Sequence, residues 1–558
     1  MSNVLLNGLS LVSQAAKLQF ENQTKAVDQT QAKFLKKVLT AHQDTVFGTE
    51  EKLRTIQTVD EFRSRIPVRS YGEYEPYIER VAKGEENILT RDRVTYFNTT
   101  SGSTGKQKLI PVTQKFQNSL GRANLISIGF LSTALKKRQN HLRKVLLTNS
   151  TEISGYTAAG IPYGSGSAGV LKMGKWVYQQ LFANPYETLQ VSDSLARHYL
   201  GLLFALQTAE TGGIAANFPM LILRTCQYLE QYSEDFIYDL KTGTIPPWLN
   251  LKSNLRNQLE KQLSPQPKRA EELQTLLSSQ GRLTPKKVWQ NLSYIATARG
   301  GTSDFYFQRF PDYFEDTPIF GAVYASAEAT YSIYPDLDMD GSILAVGTGF
   351  FEFIPEMETT TAYPNTLLAT QVEVGKRYRI LVTNYSGFYR YDNGDIVEVV
   401  GFYQQAPLIV FRHRQGGLIS STVEKTTEAH AVTVMQRLQT EFNLILEDFC
   451  ITLSEKETPA HYIVNIELTN EENVPNWQKF LEHFDEMLRE VNPRYGAKRE
   501  DLVPPPRLHL LARGSFNLVR QRQREKGVPD SQLKFPHISE DRNLVADLQV
   551  LEEYQLEL

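Results

Sequence analysis

Cysteine is nearly missing from this chain: there are only Cys226 and Cys450 among 558 residues. That scarcity excludes a disulfide framework and any metal site built from several cysteines. It fits a reducing compartment, so a cytoplasmic location is expected. An excess of one charge is missing too. Lys and Arg number 60 against 63 Asp and Glu, for a formal net charge of -3. Such a balance gives no general attraction to nucleic acid or to an acidic membrane. No run of about 20 apolar residues occurs, which argues against a bilayer-spanning helix. The opening MSNVLLNGLSLVSQAAKLQF has no basic start followed by an apolar core, and is not expected to be a signal peptide. The 9 histidines are scattered, with no H-E-x-x-H among them. There is no G-x-S-x-G, although YGSGSAG at residues 163–169 comes near it; with TAAGIP before it, that stretch reads as a loop near a substrate pocket.

What is present is an ordinary globular balance, 41% hydrophobic and 22% charged. The length is too great for one core, so two or more domains are expected. Leu9, Leu11, Leu18, Phe20, Phe34, Leu35 and Val38 predict packed helix over residues 7–42. Residues 197–230 read as one or two largely buried helices. Residues 251–280 read as an exposed helical pair broken by Pro265 and Pro267. After Trp289 short apolar runs split by Gly, Pro and Asp predict strands with functional loops between them. The last part interleaves helices and strands as a separate α/β domain; one helix carries Trp477, Phe480, Leu481, Phe484, Leu488 and Val491 on a single stripe. The polar turn at residues 403–407 marks the boundary, giving domains 1–404 and 405–558.

One stretch carries unusual chemistry: YFNTTSGSTGKQKLIPVT, residues 96–113. A Walker phosphate loop needs G-x-x-x-x-G-K-[ST] and then a helix. Here the two glycines, Gly102 and Gly105, stand closer together. Lys106 is followed by Gln107, and KLIPVT has a Pro and three β-branched residues. That predicts strand–loop–strand. Anion capture remains available: Gly102 and Gly105 let successive N–H groups turn inward, Ser101, Ser103 and Thr104 add hydroxyl donors, and Lys106 supplies charge. A flexible polar hairpin explains the local chemistry equally well.

Four further motifs have bland readings of their own. Tyr324-Ala325-Ser326-Ala327-Glu328 ends a strand-like run, where a Glu is usually a solvated loop end. Tyr389-Arg390-Tyr391-Asp392-Asn393-Gly394-Asp395 holds an Asn-Gly between two strand-like runs, a strong hairpin signal. Arg412-His413-Arg414 is compatible with a solvated strand edge. Lys534, in GVPDSQLKFPH, is by itself a surface charge.

TTSGSTGKQK resembles the Ser/Thr/Gly-rich phosphate motif of the adenylate-forming superfamily. The surrounding chain narrows this. EFRSRIPVRSYGEYEPYIERVAKGEENILT, GAVYASAEA, YRYDNGDIVEVVGFYQQAPLIVFRHR, GSF and QLKFP resemble, in that order, the Gretchen Hagen family of auxin-responsive acyl-acid amido synthetases. The resemblance implies an α/β fold, with a large N-terminal adenylate-forming domain of several sheets flanked by helices and a small mobile α/β C-terminal domain. It implies ATP and Mg²⁺ as cofactors. Residues 101–106 would hold phosphate. Tyr324, Ala325 and Ser326 would flank adenine, with Gly300 and Gly301 along it. Glu328 would hold Mg²⁺, a hard cation suited to carboxylate oxygen. Asp395 would accept the ribose hydroxyls; Asp392 takes no role. Glu424-Lys425-Thr426 aligns with the family's acidic-Lys-Thr motif and places Arg414 beside the hinge, near ribose or phosphate. Lys534 would reach the reacting carboxylate and α-phosphate. It matches the family's N-Q-Y-K-x-P-R, with Gln532 and Pro536 kept but Ser531, Leu533 and His537 in place of the Asn, Tyr and Arg.

The implied activity is ATP-dependent adenylation of a carboxylic acid and transfer of the acyl group to an amine, typically an amino acid. TTSGSTGKQK is shorter than the loop of plant members and closer to the acyl-CoA ligase form. A thioester-forming ligase is therefore the alternative, and a non-catalytic nucleotide-binding scaffold is the alternative of another class. Small-molecule acids and amines are the expected partners, without nucleic acid or a membrane span.

Overall fold

The apolar periodicity near the chain start is realised as two helices, Val4–Thr24 and Val27–His42. Phe20, Phe34, Leu35 and Val38 are buried as their spacing predicts, whereas Leu11 and Leu18 stay exposed. The computed structural model describes residues 4–100, 108–151, 153–166, 175–301, 303–358, 361–415, 417–422, 424–455, 457–469, 476–500, 502–525 and 535–556. They fall into two compact units: Met1–Arg299 with Phe310–Phe411, and Gly300–Arg309 with Arg412–Leu558. Among the described residues no helix is long and apolar enough to cross a membrane.

The larger unit holds three sheets among its described residues. Val145–Leu147, Gly213–Ala215, Tyr294–Ala296 and Ile319–Phe320 make an all-parallel sheet in that order. Parallel strands need crossovers, and helices lie on them. Ser194–Leu206 is buried at almost every position and Pro219–Gln231 over most of its length, the two buried helices expected from LGLLFALQ and FPMLILRTCQYLEQY. The exposed pair is also found, as Ser253–Glu260 and Pro267–Gln280. Pro267 opens the second of these helices, at a position where its missing N–H goes unused.

The seven-stranded sheet runs Phe350–Pro355, Arg377–Thr383, Tyr391–Tyr403, Ala406–Arg414, Ser342–Leu344, Thr330–Ile333, Val323–Ala325. Phe351, Phe353, Ile380, Val382, Tyr391, Val397 and Val399 carry its side chains into a large apolar core. A third sheet orders Lys108–Thr113, Val94–Thr100, Pro162–Gly164 and Ile153–Tyr156.

The smaller unit is a four-stranded sheet, Leu446–Leu453, Tyr462–Leu468, Arg507–Leu511 and Val550–Gln555. The helices Glu428–Phe442, Trp477–Val491 and Ser515–Glu525 belong to it. Trp477, Phe480, Leu481, Phe484 and Leu488 are buried along one stripe, as expected. The expected turn at residues 403–407 exists, between Tyr391–Tyr403 and Ala406–Arg414. The division of the units comes later, between Phe411 and Arg412. The reason is pairing: Ile409 and Leu408 lie opposite Ser342 and Ile343, which binds most of that last strand to the large sheet. Gly300–Arg309 is a further departure, since it packs with the smaller unit although it lies far upstream.

Candidate active site

Asn393-Gly394 does not make a hairpin. The strand runs through it as Tyr391–Tyr403, and the pairing with Arg377–Thr383 jumps from Arg379 opposite Ile396 to Leu381 opposite Asp392. The surplus residues bulge out of the ladder. Gly394, at φ 81°, takes the left-handed conformation the bulge requires. Two side chains brace it in sequence: Asp392 Oδ1 accepts from Gly394 N at 2.8 Å, and Asn393 Oδ1 accepts from Asp395 N at 3.0 Å. The same Asp392 pairs its other oxygen with Arg379 Nε at 3.2 Å. Burial pushes the Asp392 carboxyl pKa up and the Asp395 charge adds to that, while Arg379 and the Gly394 N–H oppose it. Asp392, without a role in the sequence reading, is thus a brace of the bulge.

The bulge sets Asp395, which is 1% exposed. Its Oδ2 accepts from Tyr324 Oη at 2.7 Å and from Asn393 Nδ2 at 3.0 Å. Asn393 Nδ2 also donates to Tyr331 Oη at 2.8 Å. Tyr331 stacks on Tyr324 with ring centroids 4.9 Å apart, and Phe411 tilts against Tyr324 at 5.6 Å.

Glu328 lies in the tight loop between Val323–Ala325 and Thr330–Ile333, closed by Ser326 N donating to Ala329 O at 2.8 Å. Ala325 at its start is exposed and Ser326 half-buried. Ser326 Oγ accepts from Glu328 N at 3.2 Å. Asn384 Nδ2 holds the Glu328 carbonyl at 2.7 Å, and Asn98 Nδ2 holds the Ala327 carbonyl at 2.9 Å. Glu328 is 3% exposed, and Tyr391 Oη reaches its Oε1 only at 3.4 Å. It is not the solvated loop end that its position after a strand suggests. The fold therefore pairs Tyr324 with Asp395, sets Glu328 in the loop that follows Tyr324, and brings Tyr391, at the start of the strand that carries Asp395, to Glu328.

Asn98 matters for a second reason. It belongs to Val94–Thr100, the strand that leads into the Ser/Thr/Gly stretch. That strand pairs antiparallel with Lys108–Thr113, Thr100 lying opposite Lys108, so the two strands predicted on either side of the stretch are present. Lys108 Nζ lies 5.1 Å from the Tyr71 ring centre. Burial first, and then the charges of Glu75, Glu79 and Glu328, push the Tyr71 hydroxyl up to about 12. Ser101, Gly102, Ser103, Thr104, Gly105 and Lys106 themselves lie outside the described residues, as do Lys534 and part of the 163–169 stretch.

The remaining predicted residues belong to the smaller unit. Gly300 and Gly301 both have positive φ, 82° and 57°, and Ser303 N closes a turn on Gly300 O at 3.3 Å. Arg414 is exposed at the end of its strand. Lys425, at φ 52°, sits between two buried residues, Glu424 and Thr426. Glu424 accepts from Thr422 N at 2.9 Å and Tyr462 Oη at 2.6 Å. His537 is fully buried, its Nε2 3.2 Å from Asp448 Oδ1 and its ring stacked on Phe449 at 4.4 Å. Sequence reasoning missed Tyr331, Asn384 and the bonding role of Asn393; the only signal for the last was an Asn-Gly pair that favours a turn.

The GH3 family N-terminal domain matches residues 16–319, the central domain 342–414 and the C-terminal domain 429–543. The jasmonoyl–L-amino acid synthetase JAR4 of Nicotiana attenuata is 26% identical over 96% of this chain and 94% of its own. The indole-3-acetic acid-amido synthetase GH3.3 of Arabidopsis thaliana is 25% identical over 92% and 90%. Among solved structures, the GH3.15 acyl acid amido synthetase superposes with a TM-score of 0.85 at 22% identity, covering 97% of each chain. A 2-hydroxyisobutyryl-CoA ligase in its postadenylation state reaches 0.50 at 9% identity over 95% of this chain and 90% of that one, a likeness of fold. The expected α/β architecture is the one found, and from the three domain matches taken in order along the sequence, the chain belongs to the GH3 family.

Proposed function

We propose that this chain is an AMP-forming acyl-acid amido synthetase, joining a small carboxylic acid to an amino acid with ATP. The observation that carries the reading is the bond from Tyr324 to Asp395, with the buried Glu328 in the loop after Tyr324 and touched by the strand of Asp395 through Tyr391, in a chain of this family. In the first half-reaction a carboxylate oxygen attacks the α-phosphorus of ATP, and the bond to the β-phosphate breaks with release of pyrophosphate. In the second, the amine nitrogen attacks the acyl carbon and loses a proton, and AMP leaves. The protein's part is positioning and neutralisation of charge.

The roles follow the chemistry of the residues. Ser101 to Lys106 grip the β- and γ-phosphates. Tyr324, Ala325 and Ser326 flank adenine with Gly300 and Gly301, Asp395 takes ribose hydroxyls, and Arg414 meets ribose or phosphate. Lys534 offsets charge at the α-phosphate. Mg²⁺ fits Glu328: a buried carboxylate whose backbone is pinned on both sides and whose near contact is a long hydroxyl bond. A single carboxylate suits an ion shared with substrate phosphates. When bound, Mg²⁺ neutralises the phosphates. Closure of the C-terminal domain shields the water-sensitive acyl-adenylate, and the domain then rotates for the attack of the amine. Cys226 and Cys450 are buried thiols outside any disulfide, which supports a cytoplasmic location.

ATP–pyrophosphate exchange across a panel of acids tests the first half, and mass spectrometry after adding mixed amino acids tests the second. Exchange with at least one acid and an acyl-amide product are expected. No exchange with any acid overturns the reading. A product only with coenzyme A makes it a thioester ligase.

A further inference from the structure

Asn393 has no free choice of orientation. Its Oδ1 takes the Asp395 N–H at 3.0 Å, and its two Nδ2 protons go to Asp395 Oδ2 at 3.0 Å and Tyr331 Oη at 2.8 Å. Turning the amide over would put an acceptor against the carboxylate and a donor against a donor, so one rotamer and one face are selected. Tyr331 in turn is fully buried and stacks on Tyr324, and Tyr324 Oη donates back to the same Asp395 Oδ2 at 2.7 Å. The four residues close a circuit: Asn393 to Asp395, Asp395 to Tyr324, Tyr324 to Tyr331, Tyr331 to Asn393. Two donors converging on one carboxylate oxygen set the rotation of the whole group, and with it where the second oxygen points.

We propose that Asn393 is a positioning residue that aims the Asp395 carboxylate at a ribose diol and so makes the site discriminate ribonucleotides from deoxyribonucleotides. This rests on the assignment of Asp395 to ribose hydroxyls. A carboxylate accepting hydroxyl protons rejects an analogue lacking one of them only if its own direction is held, because a carboxylate free to turn finds water instead. Asn393 has a structural duty as well, since its Oδ1 braces the bulge. The two duties separate in a ratio measured on one preparation, which is independent of the fraction folded.

The experiment compares kcat/KM for ATP with that for 2′-deoxy-ATP and 3′-deoxy-ATP in pyrophosphate exchange, for the wild type, Asn393→Ala, Tyr331→Phe and Asp395→Asn. The wild type should prefer ATP over at least one analogue by about 10-fold or more, as expected for a hydrogen bond to a charged group. Asp395→Asn should lose most of that preference. Asn393→Ala should lower it by about 5-fold with the KM for the acid unchanged. Tyr331→Phe keeps the brace and the stack but loosens the amide, and should lower it by about 3-fold; it carries the test if Asn393→Ala does not fold. No preference in the wild type overturns the Asp395 assignment and the inference with it. A preference lost in Asp395→Asn but kept in Asn393→Ala, or in Tyr331→Phe where that variant carries the test, overturns the inference alone.

Discussion

Arg390 sits inside the Tyr389–Asp395 motif, three residues before Asn393, yet it is committed to the core. It is fully buried, with Nε 3.0 Å from Glu352 Oε2 and Nη2 2.9 Å from Oε1. Its Nη1 donates to the carbonyls of Arg63 and Ile66 at 2.6 and 2.7 Å. Its backbone, at φ 51°, occupies a conformation that non-glycine residues avoid, so the network holds the chain against strain. Removing Arg390 leaves the buried Glu352 carboxylate with the Thr366 hydroxyl at 2.6 Å and Arg63 at 3.8 Å in place of its two-pronged partner. Arg390→Met should therefore lower stability by about 3–5 kcal/mol in equilibrium denaturation, and Arg390→Lys should recover little, because an ammonium cannot reproduce the fork. Arg390→Met with Glu352→Gln should be milder than Arg390→Met alone. A loss below about 1 kcal/mol for Arg390→Met would show that the pair is not a net support. At this scale it was the family resemblance that named Tyr324, Glu328 and Asp395 together, since residue type alone read each as loop or turn. The sequence could not separate Arg390 from them, nor see that Asn393 bonds Asp395. Both depend on what lies opposite, which local spacing does not encode.

At the scale of elements, the helix Val27–His42 ends on a histidine that ties it to the segment before Val94–Thr100. His42 Nδ1 accepts from Arg91 N at 3.1 Å, and Asn87 O and Ile88 O take the N–H groups of Val46 and Phe47. Burial drives the His42 pKa down to about 4, with Lys115 and Arg91 pushing the same way and Asp92 opposing. The folded state therefore holds the ring neutral where the unfolded chain protonates it. Its contribution is complete above about pH 6.5 and drains away as pH falls towards 4. Between pH 7.5 and 5 the wild type should lose about 2 kcal/mol from this group alone. His42→Asn keeps an acceptor for Arg91 N, and should flatten the profile by that amount in denaturant titrations. Equal slopes for the two proteins would rule the histidine out. Most elements were legible, since the stripe of Trp477–Val491 and the apolar runs after Trp289 obey simple periods. The Asn-Gly turn was not: its statistics describe isolated hairpins, whereas here strand pairing on both sides carries the chain straight through.

At the scale of the molecule, the least legible fact is that Gly300–Arg309 belongs to the smaller unit. Nothing in a local window announces a partner well over a hundred residues downstream. The contacts explain it. Tyr306 Oη donates to Asp448 Oδ2 at 3.1 Å, Arg309 pairs with Glu447 at 2.9 Å, and Phe305 lies edge-on to Phe449 at 5.2 Å. Asp448 is fully buried and also receives Arg520 at 2.9 Å and His537 at 3.2 Å. Each of these groups is desolvated, so none is a cheap surface pair. The smaller unit is thus incomplete without a segment from the middle of the chain. A fragment of residues 412–558 would expose Asp448 and Phe449 and should unfold more readily than the same unit within the full chain. Within the full chain, Arg309→Ala leaves Glu447 with Arg520 at 3.4 Å, and should cost about 2 kcal/mol; Tyr306→Phe should cost about 1. Scanning calorimetry that resolves two transitions should show both substitutions lowering one of them and leaving the other in place. If both transitions moved together, the two units would be melting as one body, and the division at Phe411 and Arg412 would not be an energetic boundary.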